Sequence, residues 1–93
     1  MIQHTSHSLV RSAQRGLNDE EVEYVYQFGS RHHCRGALIY YLRRKDVPTG
    51  DLALDWANHL EGTALVMDKT GKLLLTVWRN RRRGLKQLRL ILR

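Results

Sequence analysis

The sequence predicts an α+β domain, and three observations carry that expectation. Two helix-forming segments, each with a capping residue in front, occupy residues 4–29. β-rich apolar runs follow at 37–42, 63–68 and 72–79. Lys69-Thr70-Gly71 joins the last two runs as a hairpin turn. Helices followed by strands, rather than an alternation of the two, predict segregated layers. At 93 residues the chain makes one domain with a modest core.

The first helix is expected over residues 4–15, with Thr5 or Ser6 accepting a bond from an otherwise orphan backbone N–H and Gly16 as its stop. Leu9, Val10 and Ala13 offer one narrow apolar stripe for the core. On the other side His7, Arg11 and Arg15 recur every four residues, so they line one face at roughly 6 Å per step.

The second helix starts at Asn18 or Asp19 and ends at Gly29. Glu20 and Glu21 sit where the helix dipole favours anions, and Val22, Val25, Tyr26 and Phe28 form a core-facing stripe with Leu17 before them. The β-rich run 37–42 carries Tyr40 and Tyr41, and 31–35 either pairs with it across Gly36 or continues it through a bulge. Residues 46–50, with Pro48, read as a loop. Residues 51–60 read as a short helix with Leu52 and Trp56 on one face. In the closing hairpin, strict alternation points Leu73, Leu75 and Val77 one way and Leu74, Thr76 and Trp78 the other. Residues 81–93 fit a helical stripe through Leu85, Leu88 and Leu92 and a strand stripe through Leu88, Leu90 and Leu92 equally well.

Composition narrows the function. Hydrophobic residues make up 42% and charged residues 27% of the chain, the balance of a soluble globular domain. No apolar run approaches the roughly 18 residues of a membrane span, and residues 1–10 lack the apolar centre of a signal peptide. The single Cys34 leaves no internal disulfide framework, so a cytoplasmic location is expected. Sixteen Lys and Arg against nine Asp and Glu give +7. Twelve of the sixteen are Arg, whose planar fork grips phosphate. A polyanion, nucleic acid above all, is the expected partner. The cations are concentrated: residues 79–93 hold seven and no acid, and 43–45 form a second run.

Each constellation has a chemical use and a bland one. Cleaving RNA without a metal requires deprotonating a 2′-hydroxyl, neutralising the phosphoryl oxygens and protonating a leaving oxygen. His7 suits proton transfer, and Arg11 and Arg15 suit the developing charge. The same face also reads as merely solvated. Thr76, a hydroxyl inside an apolar strand, is placed to hold a phosphate, or is simply a β-former. Arg79, Arg81, Arg82 and Arg83 follow the last strand and suit substrate phosphates, with Trp78 or Tyr40 stacking on a base. The alternative is a charged edge or a contact for an acidic partner. His32 and Cys34 converge on one strand face, but no CxxC or HxxxH completes a zinc site. His59, four residues after Asp55, reads as a surface pair. No metal, cofactor or nucleotide-loop motif is expected.

The stretch from His7 to Leu17, HSLVRSAQRGL, resembles the H-x3-R-x3-R-G-[IL] opening of a small prokaryotic family catalogued as a domain of unknown function. The stretch from Gly71 to Trp78, GKLLLTVW, resembles that family's closing strand. The family is grouped with the barnase–EndoU–colicin–RelE (BECR) type of ribonuclease fold. The resemblance implies two N-terminal helices packed on a roughly four-stranded antiparallel sheet. It further implies a metal-independent endoribonuclease, the toxin of a toxin–antitoxin pair, with an acidic antitoxin as partner. His7, Arg11, Arg15 and Thr76 inherit its candidate active site by position. A non-catalytic RNA- or DNA-binding module on the same basic face is the alternative.

Overall fold

The computed structural model describes residues 2–79. It is an α+β domain in which helices pack on a five-stranded mixed sheet. The elements run β1 (Gln3–His4), α1 (Ser6–Gln14), α2 (Asp19–Phe28), β2 (Ser30–Cys34), β3 (Ala37–Tyr41), α3 (Asp55–His59), β4 (Thr63–Met67) and β5 (Leu73–Arg79). Short 3₁₀ turns cover Arg44–Asp46 and Thr49–Ala53. The strand order is β1-β5-β4-β3-β2.

Strands β2 to β5 are antiparallel neighbours in chain order. The hairpin of β4 and β5 is the one its turn predicts, β2 pairs with β3 across Gly36 rather than continuing it, and residues 42–62 connect β3 to β4. The fifth strand departs from expectation. Gln3 and His4 do not begin a helix; they pair in parallel with Leu73 and Leu74 of β5 and make the sheet mixed. Two residues carry no readable β signature, and a partner seventy positions away supplies what local propensity does not. Thr5 then caps α1, its Oγ1 accepting from the Ser8 N–H at 3.0 Å.

The α2 segment follows its sequence signals closely. Asn18 accepts from the Glu21 N–H while the Glu21 carboxylate takes the Asn18 N–H, a complete capping box. Val22 and Val25 are buried against Leu38, Tyr40, Leu65, Met67, Leu74 and Val77, which together form the main core. Gly29 lets the end of α2 close onto β3: a Cβ there would lie 2.6 Å from the Val25 carbonyl oxygen and 3.3 Å from the Tyr41 backbone.

Two expectations about side-chain direction fail. The α1 stripe of Leu9, Val10 and Ala13 faces outward, with Leu9 56% and Val10 54% exposed. Ser8 and Ser12, four residues apart, are buried instead. Small hydroxyl side chains let the helix approach β5 closely, and that fit outweighs the burial of one leucine and one valine. The Ser8 hydroxyl is satisfied by the Thr5 carbonyl at 2.9 Å and by His4 Nδ1 at 3.2 Å.

In β5 the alternation breaks at a register shift opposite Val66 and Met67. Leu74 and Val77, three residues apart, therefore share the core face, while Thr76 and Trp78 turn to the other. The predicted helix over 51–60 is split, with a 3₁₀ turn before α3. Trp56 is 47% exposed, its ring edge-on to Tyr24 at 5.0 Å.

Candidate nucleic-acid interface

Helix α1 and strand β5 position the sequence-predicted residues. Thr5 ties the start of α1 to β5, its hydroxyl shared between the Leu74 and Leu75 carbonyls at 3.2 Å each. From there α1 packs against β5. With Ser8 and Ser12 turned inward, Arg11 and Arg15 fall within about a quarter turn of the buried stripe, His7 lies further round on the same flank, and Leu9 occupies the opposite flank. His7 is exposed. Arg11 is half-buried, its Nη1 donating to Gln14 Oε1 at 3.2 Å. Arg15 is exposed at the helix C-cap, where a cation complements the dipole.

Thr76 is half-buried on the sheet face opposite α2. It stands in one cross-strand row with Val66, Ile39 and His32, and the next row holds Trp78, Ala64, Tyr41 and Ser30. The structure thus sets Arg11 and Thr76 on neighbouring elements. Among the described residues no side-chain hydrogen bond links His7, Arg11, Arg15 and Thr76 to one another; Arg15 and Arg11 meet only through the main chain, the Arg15 N–H donating to the Arg11 carbonyl at 3.0 Å.

The stacking residues part company. Tyr40 belongs to the core: it is 8% exposed, its ring centroid lies 4.6 Å from that of Tyr26, and it presents no face to a base. Register puts Tyr40 there and not, as expected, against a base: it pairs with Leu65 on the α2 side of the sheet. Trp78 is half-buried against the Ile39 cluster on the Thr76 face.

Arg79 is held in place. Its Nη2 donates to the main-chain carbonyl of His59, and its Nη1 meets His59 Nε2 at 3.4 Å. Arg81, Arg82 and Arg83 lie outside the described residues.

Sequence reasoning missed the meeting of Arg79 with His59. His59 also lines a cleft of about 570 Å³ with Arg44, Asp55, Asn58 and Glu61. The strand order supplies the missing signal, because it brings the basic run at 43–45 and the end of β5 to the same end of the sheet. Beside them Asp46 organises a small network. It accepts from the Arg43 backbone and side chain and from the Ser30 hydroxyl at 2.9 to 3.2 Å. Burial by itself would raise the Asp46 carboxyl, but those bonds outweigh it and hold it below the usual carboxylate range. Arg43 is thereby committed to structure, while Arg44 and Lys45 remain exposed.

Compared with protein-family models, curated proteins and solved structures, the chain shows no match. No helix among the described residues is long and apolar enough to cross a membrane.

Proposed function

We propose that this protein is a metal-independent endoribonuclease of toxin type, cleaving RNA by attack of a 2′-hydroxyl on the adjacent phosphate. The observation that carries the reading is the packing of α1 on β5 through Ser8 and Ser12, which leaves His7, Arg11 and Arg15 together on one flank beside the strand of Thr76. In the reaction the 2′-oxygen bonds to phosphorus as the P–O5′ bond breaks. The 2′-hydroxyl gives up its proton and the leaving 5′-oxygen gains one. His7 performs one of these transfers and water the other. Arg11 and Arg15 take up charge on the phosphoryl oxygens, and Thr76 orients the phosphate. Trp78 stacks on a base, and Arg79, Arg81, Arg82 and Arg83 hold flanking phosphates. An acidic antitoxin is the protein partner this activity requires, since it would mask the guanidiniums.

One observation favours a second reading. His7 is exposed and, among the described residues, its side chain makes no hydrogen bond to the arginines it would act with. A basic RNA-binding module without catalysis fits that looseness. End-mapping separates the two. Ribonuclease activity leaves 2′,3′-cyclic phosphate and 5′-hydroxyl ends and survives EDTA. 3′-Hydroxyl products sink the mechanism, and intact RNA that nevertheless shifts in a gel establishes the binding module.

A further inference from the structure

Strand β2 closes the sheet on the side away from α1, and among the described residues no strand lies beyond it. Its chemistry follows from its turn. Cys34-Arg35-Gly36-Ala37 is a two-residue hairpin in which Arg35 (φ 49°) and Gly36 (φ 80°) are both left-handed, the type I′ geometry. Such a turn makes Cys34 and Ala37 a hydrogen-bonded pair. Alternation then directs the backbone groups of Ser30, His32 and Cys34 inward to β3. Those of Arg31 and His33 point outward.

The side chains repeat this division. Arg31 pairs with Tyr40 and His33 with Leu38, so both stand on the α2 side of the sheet, where both are exposed. Arg35, in the turn just beyond, is exposed too. The edge therefore presents two N–H and C=O pairs beside a short row of cationic and titratable side chains. It is five residues long, with no proline, and its register to β3 is unbroken.

We propose that the β2 edge is a docking site for an extended acidic segment of a partner protein, which adds to the sheet as a sixth strand. Backbone pairing satisfies Arg31 and His33, and carboxylates at alternate positions meet Arg31 and Arg35. Charge selects this occupant over the others. A second copy pairing antiparallel through β2 would set arginine and histidine against arginine and histidine, which is destabilising. Residues 79–93 of the chain itself hold seven cations and no acid, and meet the same repulsion. A nucleic acid matches the side chains but not the backbone, because a phosphate donates nothing to the outward carbonyls of Arg31 and His33. The proposal is independent of ribonuclease activity: a five-strand sheet spans about 19 Å between its outer strands, so a segment on β2 leaves the α1 flank uncovered.

The test uses the full-length protein and a nine-residue peptide of alternating Glu and Val, acetylated and amidated at its ends. Binding is followed by fluorescence anisotropy and by hydrogen exchange of individual backbone amides. The Arg31 and His33 amides should exchange at least about tenfold more slowly with peptide. Arg31→Glu with Arg35→Glu should weaken binding about tenfold or more, and the milder Arg31→Gln with Arg35→Gln should weaken it less. Absence of binding at millimolar peptide overturns the proposal, as does binding that leaves those two amides unchanged. Slow exchange at both amides before peptide is added also overturns it, because the edge is then already taken by the chain's own tail or by a second copy. If a twelve-nucleotide oligouridylate protects the two amides better than the peptide does, the edge is a nucleic-acid contact and the proposal falls.

Discussion

The guanidinium of Arg79, at the end of β5, clasps His59 of α3 from twenty residues away, donating to its carbonyl and meeting its Nε2 at 3.4 Å. A guanidinium has donors only, so a hydrogen bond at this contact requires Nε2 as acceptor and the ring proton on Nδ1.

The first prediction is spectroscopic. Long-range ¹H–¹⁵N correlation at a pH where the ring is neutral should show His59 as the Nδ1–H tautomer. Arg79→Gln should return the ring toward the Nε2–H form that free imidazole side chains favour. An Nε2–H tautomer in the unaltered protein would refute the contact.

The second concerns the interior of α1. Ser8→Val inserts bulk into a site with no free surface and removes the hydroxyl that meets His4 Nδ1, so it should cost about 1–3 kcal/mol in urea unfolding. Leu9→Ser and Val10→Ser alter side chains more than half exposed and should stay within about 0.5 kcal/mol. The opposite ranking would mean that the helix packs by its apolar stripe after all.

The third is a pH dependence. The folded Asp46 carboxyl lies below its ordinary value, so its stabilisation is fully present above the unfolded pKa of about 3.9 and is lost as pH falls below it. Asp46→Asn should therefore lower Tm at pH 7, at a cost of about 1–2 kcal/mol, through weakened bonds from Arg43 and Ser30. The gap in Tm between the two proteins should narrow as pH drops from 5 to 3. A gap independent of pH would assign the loss to packing.

The fourth belongs to the proposed reaction. His7→Ala should reduce RNA cleavage by about 10²–10⁴-fold while leaving Tm unchanged, because His7 is exposed. Loss of RNA binding in the same variant, without a loss of turnover, would place His7 in recognition rather than proton transfer.

How far the sequence disclosed this molecule varies with the range of the forces involved. Asn18, Glu21 and Gly29 act within one helix turn, and the bounds of α2 followed from them; Val22 and Val25 marked its inward face, but the burial of Tyr24 in place of Tyr26 and Phe28 did not follow. The inward face of α1 did not follow. Hydrophobic periodicity ranks Leu9 above Ser8, whereas close packing on β5 favours the smaller residue, a preference that exists only once the strand is beside it. Likewise the register shift at Val66 and Met67 moved Val77 onto the Leu74 face, a matter of pairing and not of propensity. In the candidate site, the spacing of His7, Arg11 and Arg15 survived because it depends on helix geometry alone. The burial of Tyr40 and the clasp of Arg79 on His59 depend on strand order, which no local pattern encodes.

The pairing of Gln3 and His4 with Leu73 and Leu74 has a consequence for how the protein comes into being. On the ribosome Gln3 and His4 are made some seventy residues before the strand they need. Until then Ser8 and Ser12 have nothing to rest on, and the flank of His7, Arg11 and Arg15 has no neighbouring strand. Late, long-range closure of this kind is slow relative to local helix formation. A nascent or truncated chain ending before β5 would hold α2 and its capping box but lack the α1–β5 seam. Any activity that depends on that seam begins only when synthesis has passed Leu74.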